Sequence, residues 1–517
     1  MGNFRGYNYQ QTAMVVMHFE EQLQPGTFEH TLHHLIEHHI DLSAFLEKYD
    51  NDAGGRSAYH PAILLKIILF AYYKGITSSR EIQWQCENNM MFKALSCDVV
   101  PHFTSIASFI SSYPDAIESV FEQVLLVCDQ QGLVGGELFA IDGCKMPSNA
   151  AKAHSGTLQE LASKRKKIQQ QIRHCLKEHK RLDGRKPREK ERKRRLEQSA
   201  ATLEKHFKRI DDFLKTASPR MGEGKQRKEV KSNITDNESA KMTTSKGTIQ
   251  GYNGIAAVDQ KHQVIVEAQA FGASQEHHTL VPMLEGLKAR YRALGSEDIY
   301  GTQAVVTADT GFANEDNNRH LKSAGINAYI PDNQFRLRDP KFKRQKQKYG
   351  KRHQATAKGI KQVIPAGEFT FDLKAKTCVC PAGNAMWLMS DHKVNAGRRK
   401  LTFEGRLTDC RQCPKKAACM RNPDSADTRK GHGRLVSITY ATGETATDWM
   451  KRRVDSRQGK AIYGQRMAVV EPVFGNIGTN KGLRRFSLRG KAKVQGQWRL
   501  FCLVHNIEKV MRYGALT

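Results

Sequence analysis

Strand-like segments recur five times between residues 137 and 330, and helical patterns separate the later ones. The segments are ELFAID (137–142), YNGIAAVD (252–259), HQVIVEAQA (262–270), QAVVTAD (303–309) and INAYI (326–330). Helical periodicity covers residues 276–294 and residues 314–323. The order strand, strand, strand, helix, strand, helix, strand is typical of a mixed sheet covered by helices. We therefore predict an α/β core domain over residues 134–330.

Residues 1–133 show helical periodicity in several short segments instead of strand patterns. Short helices of this kind suit a DNA-binding module of the helix-turn-helix type, and they suit a plain helical bundle equally well. Periodicity alone does not separate the two. We expect an all-α N-terminal domain that binds DNA.

A long insertion separates the first two strand segments. Apolar residues at steps of three and four predict two helices, joined by a turn into an antiparallel hairpin over residues 155–216. Between residues 163 and 197 there are 16 lysines and arginines against 5 acidic residues, a density that favours contact with phosphates. The candidate DNA-binding residues are Lys164, Arg165, Lys166, Lys167, Arg192, Lys193, Arg194 and Arg195. Residues 216–250 are polar and are predicted to form a loop.

The charge balance of the whole chain points to a polyanionic partner. The formal net charge is +29 over 517 residues, and phosphates are the groups that such an excess neutralises. The longest apolar run, Ala62–Tyr73, is too short to span a bilayer and contains Lys66. We expect nucleic acid and no membrane as partner, and a cytoplasmic location.

Three acidic residues are candidates for a catalytic, metal-binding site. Asp142 and Asp309 each end a strand-like segment and precede small residues, and Glu471 lies in a helical pattern further on. An Asp-Gly pair such as residues 142–143 is also a common turn, so the first acid alone would be a weak signal. If the three converge, they form an oxygen-rich pocket that can hold two Mg²⁺ ions for phosphoryl transfer. Asp259 also ends a strand segment, and we assign it to structure.

Several blocks of the sequence resemble a known family in the family's own order. They are YHPAILLKIILFAYYKGITSSREI near the N-terminus, NITDNESAKM with GYNGIAAVD, YGQRMAVVEPVFGNIG, and GLRRFSLRGKAKVQGQWRLFCLVHNIEKV at the end. Together they resemble bacterial insertion-sequence transposases of the DDE type. The resemblance implies a ribonuclease-H-like core whose C-terminal part, residues 446–517, carries the glutamate.

The resemblance also implies the chemistry. Asp142, Asp309 and Glu471 would be the catalytic acids, with Tyr463 and Arg466 as the accompanying signature. They would bind two Mg²⁺ or Mn²⁺ ions, cleave double-stranded DNA at terminal inverted repeats, and join the freed end to target DNA. A homodimer assembled on DNA is implied as well.

The sequence departs from the family pattern at two places. Four residues separate Arg466 from Glu471 where the related signature has three, and the following lysine, Lys481, comes later than in that signature. In GASQEHHTL, His277 and His278 replace residues of the Asn-Asp kind. We interpret these histidines as solvent-exposed or capping groups.

Five of the 11 cysteines lie close together in a predicted insertion over residues 331–445. Cys410 and Cys413 have the C-x₂-C spacing of a zinc site, and Cys419 follows within reach. Cys380 is the expected fourth ligand, with Cys378 as its competitor. Structural Zn²⁺ or another thiophilic metal is one interpretation, and buried reduced thiols are the other.

The sequence therefore predicts a DDE transposase of an insertion sequence. Two other functions remain open: a nuclease of the same fold without strand transfer, and a catalytically silent DNA-binding protein derived from a transposase.

Overall fold

The computed structural model describes residues 16–47, 49, 57–182, 186–222, 227–342, 363–395 and 397–515. The chain divides into two units, one formed by Met1–Gly311 with Gln465–Thr517 and the other by Phe312–Gly464. The predicted α/β fold, with a mixed sheet and a helical N-terminal region, is confirmed. Within the described ranges, no helix combines the length and the apolar character needed to cross a membrane.

Helices precede the first strand, as the periodicity of residues 1–133 predicts. Those described are α1 (Phe28–His38), α2 (Ser43–Leu46), α3 (Pro61–Tyr73), α4 (Ser79–Asn88), α5 (Met90–Ser96), α6 (Phe103–Ser112) and α7 (Pro114–Gln130). Helix α3 begins where Pro61 occupies the first turn and the His60 side chain accepts the N–H of Ala62. Nearly every residue of α3 is buried, which explains the apolar run in the sequence.

The main sheet of the first unit is mixed. Its strands are β1 (Leu138–Pro147), β2 (Ala240–Thr244), β3 (Gly247–Asp259), β4 (Ile265–Phe271) and β5 (Val305–Ala308). Strand β1 pairs with β5 in parallel and with β3 antiparallel, and β2 and β4 both pair with β3. Helix α10 (Leu280–Ala293) follows β4. Two short strand pairs join Ser155–Gly156 to Ser232–Asn233 and Arg220–Met221 to Glu229–Val230.

Two predicted boundaries are wrong. The first strand does not end at Asp142, because residues 143–147 stay paired with residues 251–255 of β3. The Asp-Gly pair is therefore part of a strand and not a turn. The predicted loop over residues 216–250 contains β2, the start of β3 and the short strand pairs, although residues 223–226 lie outside the described ranges.

The C-terminal helix α18 (Lys491–Tyr513) packs on this sheet through both apolar and polar contacts. The indole N–H of Trp498 donates to the carbonyl of Ile255 at 3.0 Å. The Asn506 side chain bonds both backbone groups of Ile265 at 2.8 Å. A helix covering one face in this way is what the buried, largely apolar strands require.

The predicted helical hairpin is confirmed. Helix α8 (Leu158–Arg181) begins with a capping box formed by Thr157 and Glu160, and α9 (Pro187–Thr216) begins with proline in its first turn. The apolar seam between them is centred on Leu161, Ile168 and Ile210.

The second unit contains a small antiparallel sheet and short helices. Its strands are β6 (Asn327–Tyr329), β7 (Thr370–Asp372), β8 (Thr377–Val379), β9 (Ala385–Asn395), β10 (Arg398–Glu404) and β11 (Leu435–Ala441), of which β7 to β11 form the sheet in that order. The helices are α11 (Glu315–Ser323), α12 (Phe335–Arg338), α13 (Leu407–Arg411), α14 (Lys416–Cys419), α15 (Ser425–Thr428) and α16 (Ala446–Asp455). Helix α17 (Arg457–Gly475) begins in the second unit, but its residues from Gln465 onwards, including the glutamate of the predicted site, belong to the first unit. The predicted Cys-rich β insertion is confirmed.

His505 on α18 makes the stability of the first unit depend on pH. Its Nε2 lies 2.9 Å from the carbonyl oxygen of Gln263, and its Nδ1 lies 3.1 Å from Nδ2 of Asn476. The neutral ring with a proton on Nε2 satisfies both partners, because Nδ1 then accepts from the amide. Complete burial lowers the pKa of His505 to about 4.

Acidification should therefore destabilise the protein through this residue. The stabilisation is fully present above the unfolded pKa of about 6.5 and is lost as the pH falls towards 4, by about 3 kcal/mol in total. Urea unfolding from pH 7.5 to about 4.5 measures it. The His505→Gln variant, whose amide can replace both hydrogen bonds, should have a flatter profile than the wild type. Parallel profiles for the two proteins would contradict the assignment.

Candidate active site

Asp142 and Asp309 lie side by side because of the strand register. The last residue pair between the parallel strands β1 and β5 is Ile141 with Ala308. Asp142 is the next residue of β1, and Asp309 is the first residue after β5. Neighbouring strands are about 4.8 Å apart, so the two carboxylates leave adjacent backbones at the same edge of the core. The backbone N–H groups of Gly143 and Thr310 each donate to the preceding aspartate, at 2.8 and 2.7 Å.

Arg466 on α17 approaches the first of these acids. Its Nη2 lies 2.8 Å from Oδ2 of Asp142, and the arginine side chain is only 7% exposed. Neither Nη2 nor Nε of Arg466 has a partner with good hydrogen-bond geometry among the described residues. The site therefore contains a buried cation whose N–H groups can still bind an anionic oxygen.

Asp142 has two acidic neighbours, Asp309 and Glu276, and one basic neighbour, Arg466, that affect its pKa. Burial raises the pKa of Asp142 above its ordinary value. The carboxylates of Asp309 and Glu276 raise this pKa further, whereas Arg466 opposes the shift. Two further carboxylates therefore act on Asp142, and among the described residues Arg466 pairs with Asp142 and Lys145 with Glu276.

Glu276 is the site residue that sequence reasoning missed. Its Oε1 lies 3.2 Å from Nζ of Lys145 on β1, so it faces the same edge of the sheet. A Cβ atom at position 311 would overlap Oε2 of Glu276, which places this carboxylate against the turn after Asp309. The available signal was that Glu276 follows β4, a strand of the same sheet, by five residues.

Glu471 and Tyr463 have different surroundings from the aspartates. Glu471 is exposed on α17, and no described contact joins it to either aspartate. Because it follows Arg466 by five positions, it points about 140° away from that arginine around the helix. Tyr463 belongs to the second unit, where its ring packs edge-on against Phe335 with centroids 5.5 Å apart.

Lys481 and Asp259 have structural surroundings. Lys481 is buried, lies 2.9 Å from Oε2 of Glu508 and sits over the Tyr73 ring. The Asp259 carboxylate accepts backbone N–H groups of Gly135, Gly136 and Lys261 and so fixes the start of β1.

The donor set at Asp142 fits a hard divalent cation. Carboxylate oxygens are the ligands that Mg²⁺ and Mn²⁺ prefer, and a cation would relieve the repulsion between neighbouring acids. Among the described residues, no group of three or more His, Cys, Asp or Glu side chains forms a ready-made metal site. Metal binding at these acids is therefore a proposal that rests on their chemistry and charge.

Two family models match the chain. One is described as a transposase DDE domain and matches residues 379–511, and the other is described as a transposase domain (DUF772) and matches residues 17–112. Together the two models cover less than half of the chain, and both support an insertion-sequence DDE transposase. The DDE match includes Glu471, whereas Asp142 and Asp309 lie outside both matched ranges. No curated protein matches this chain.

Four cysteines of the chain line one small cavity in the second unit. Cys380, Cys410, Cys413 and Cys419 all border a space of about 30 Å³. Burial raises the pKa of the thiols of Cys410 and Cys419, and the neighbouring cysteines add to this effect. Cys378 lies in the apolar core of the sheet instead, with its sulfur 3.7 Å from that of Met386. Thiols are ligands that a thiophilic metal prefers, but no three or more His, Cys, Asp or Glu side chains among the described residues form a ready-made metal site, so zinc binding here is a proposal.

Some of the eight predicted DNA-binding residues form ion pairs or hydrogen bonds within the protein, and others do not. Arg165 is paired with Asp211 at 2.6 Å, and Lys164 donates to a backbone carbonyl. Arg192 and Arg195 lie near glutamates of the hairpin. The side chains of Lys166, Lys167, Lys193 and Arg194 make no ion pair with a described residue. These four present the strongest unpaired charge of the eight.

Proposed function

We propose that this transposase cleaves double-stranded DNA at the inverted repeats that end its own element and joins the freed 3′ ends to target DNA. The observation that carries the proposal is the register of β1 and β5, which brings Asp142 and Asp309 together beside Arg466. An acidic pocket with one buried arginine suits the transfer of a phosphoryl group, whose charge is spread over several oxygens.

Asp142, Asp309 and Glu471 hold two Mg²⁺ or Mn²⁺ ions in this proposal. When bound, the two ions stabilise the attacking and the leaving oxygen of an in-line displacement. Arg466 keeps its ion pair with Asp142 and binds a non-bridging oxygen of the same phosphate through Nε, which has no hydrogen-bond partner among the described residues. Tyr463 completes the signature on α17. Glu276, paired with Lys145, is the second candidate for the third acid because it acts electrostatically on Asp142 and lies against Gly311, two residues after Asp309.

DNA is held by other parts of the chain in the same proposal. The N-terminal helices and the basic hairpin α8–α9 contact phosphates, and Lys166, Lys167, Lys193 and Arg194 contribute the unpaired charges. The protein acts as a homodimer on DNA in the bacterial cytoplasm, near the nucleoid. Two copies fit an element with two inverted ends, because protein symmetry then matches DNA symmetry.

Strand transfer separates this function from its two alternatives. Purified protein is incubated with Mg²⁺, a supercoiled target plasmid and duplexes that end in the pre-cut terminal repeat. We expect joined products whose formation requires the 3′-hydroxyl. Cleavage of uncut ends without joining would indicate a nuclease, and DNA binding without either reaction would indicate a catalytically silent protein.

A structural zinc site in the second unit is part of the proposal. Replacing Cys413 with serine should reduce the zinc content from about one ion per chain to nearly none, because one thiolate ligand is lost. The same variant should unfold the second unit at lower denaturant concentration, since metal binding contributes directly to folding free energy. Elemental analysis and urea unfolding measure the two effects.

The matched control is Cys97→Ser, which replaces an exposed cysteine of the first unit. It should leave zinc content and stability unchanged. Wild-type protein prepared without chelators and found free of zinc would favour the interpretation as reduced thiols.

A further inference from the structure

A basic cleft of about 610 Å³ opens in the first unit beside the end of β1. Its walls come from residues 147–154, from helix α9, and from the segment that precedes α18. The basic side chains that line it are Lys152, His154, Arg209, Arg485 and Arg489. Among the described residues, no acidic side chain lines this cleft. The positive charge of these side chains is therefore not neutralised by any described residue that lines the cleft.

Two of the arginines are held in place by the segment after β1. Nε of Arg485 donates to the carbonyl of Ser148 at 3.2 Å, and its Nη2 donates to Oδ1 of Asn149 at 3.1 Å. Nε of Arg489 donates to the carbonyl of Asn149 at 2.8 Å. A guanidinium has five N–H donors, so these bonds orient each group and leave most of its donors for a ligand. A positioned guanidinium matches the geometry of phosphate oxygens.

The lowered pKa of His154 is consistent with a positive electrostatic potential in the cleft. Its pKa is lowered mainly by partial burial and further by the charges of Lys164, His206 and Arg209. The last two of these belong to α9, so the base of the hairpin contributes to the field as well as its tip. A concave surface with one sign of charge concentrates ligands of the opposite sign.

We propose that this cleft binds the phosphate backbone of duplex DNA next to the active site. Strand β1 connects the two places, because Asp142 lies five residues before Pro147 at the wall of the cleft. Five residues of a strand span about 17 Å. Successive phosphates of one DNA strand advance about 3.4 Å along the helix axis. The cleft therefore lies within about 17 Å of Asp142 along β1, close enough for one DNA duplex to contact both places.

This inference rests on the proposed function, since it assumes that the ligand of the active site is DNA. It adds a contact surface that does not include the tip of the hairpin. Arg485 and Arg489 are its central residues, and both are exposed to solvent. They touch neither of the two aspartates in any described contact, so their substitution leaves the catalytic groups intact.

The test is the salt dependence of DNA binding by the full chain. Affinity for a mixed-sequence duplex of about 30 base pairs is measured in Ca²⁺ between roughly 50 and 200 mM KCl. Each phosphate contact contributes about 0.9 to the log–log slope, so Arg485→Gln with Arg489→Gln should reduce the slope by about 2. Lysine at both positions should retain the slope, because the charges remain.

The matched control removes two charges from α10, by Lys288→Gln with Arg292→Gln, and should leave the slope unchanged. An unchanged slope in the Arg485/Arg489 glutamine variant overturns the inference. An equal fall in the lysine variant also overturns it, because the loss would then be structural and not electrostatic. If the slope falls as expected but Mg²⁺ supports no cleavage by the wild type, the cleft stands and the proposed catalytic function fails.

Discussion

Asp142→Asn and Asp309→Asn should each lower the rate of Mg²⁺-dependent DNA cleavage by about 10³-fold or more, because each removes a negative charge from a site that works by placing charge at the reacting oxygens. The register that pairs Ile141 with Ala308 makes the two aspartates one unit. Their effects should therefore not add in the double variant. Cleavage of end DNA under single-turnover conditions measures the rates.

Binding of DNA should survive these substitutions. Asparagine has nearly the same shape as aspartate, and the proposed DNA contacts lie on other elements. Affinity in Ca²⁺, which is less strict in its geometry than Mg²⁺ and should support assembly but little chemistry, should stay within about twofold. A parallel loss of binding and cleavage would show that the aspartates act on folding or on DNA contact.

The third acid is identified by the same assay. Glu471→Gln should match the aspartate variants if the signature on α17 supplies the ligand. A full loss in Glu276→Gln together with a mild effect in Glu471→Gln would assign the role to Glu276, whose carboxylate acts electrostatically on Asp142. Asp259→Asn is the control, and its activity should stay within a few-fold. Its three backbone hydrogen bonds predict an effect on stability instead.

Much of the fold could be predicted from the sequence because its signals are local. The apolar seam of the hairpin shows a helical period, and the apolar run of α3 is longer than most strands. Boundaries were less predictable. The pattern of ELFAID suggests an end at Asp142, but pairing with β3 continues to Pro147, and pairing partners lie more than 100 residues away in sequence.

In the candidate site too, residues with a local sequence signal could be predicted, and those whose position depends on distant parts of the chain could not. Asp142 and Asp309 could be predicted because each ends an apolar, strand-like run in the sequence, and the resemblance of the flanking blocks supported them. Glu276 could not, because its proximity depends on how the chain returns from β4 to the turn at Gly311. The pairing of Arg165 with Asp211 was equally hidden, since charge counting does not show which basic residues are neutralised across a helical hairpin.

Arg290 should contribute strongly to the stability of the first unit through a buried ion-pair network. Its side chain is 7% exposed, and its Nε donates to Oε2 of Glu267 at 2.8 Å, a carboxylate that is 2% exposed. Its Nη1 and Nη2 are paired with Glu122 and Glu118 on α7. One guanidinium on α10 thus joins a buried strand to the last helix of the N-terminal region.

Replacing Arg290 with methionine should lower the free energy of unfolding by about 3–5 kcal/mol, because it leaves the buried Glu267 charge without its partner. Adding Glu267→Gln should recover part of the loss, since the uncompensated charge is then removed. Arg292→Met is the control on the same helix, exposed to solvent, and should change stability by no more than about 0.5 kcal/mol. Urea unfolding followed by circular dichroism compares the four proteins. Equal effects at positions 290 and 292 would mean that the network is only a surface feature, whereas recovery in the double variant would show that an unpaired buried charge causes the loss.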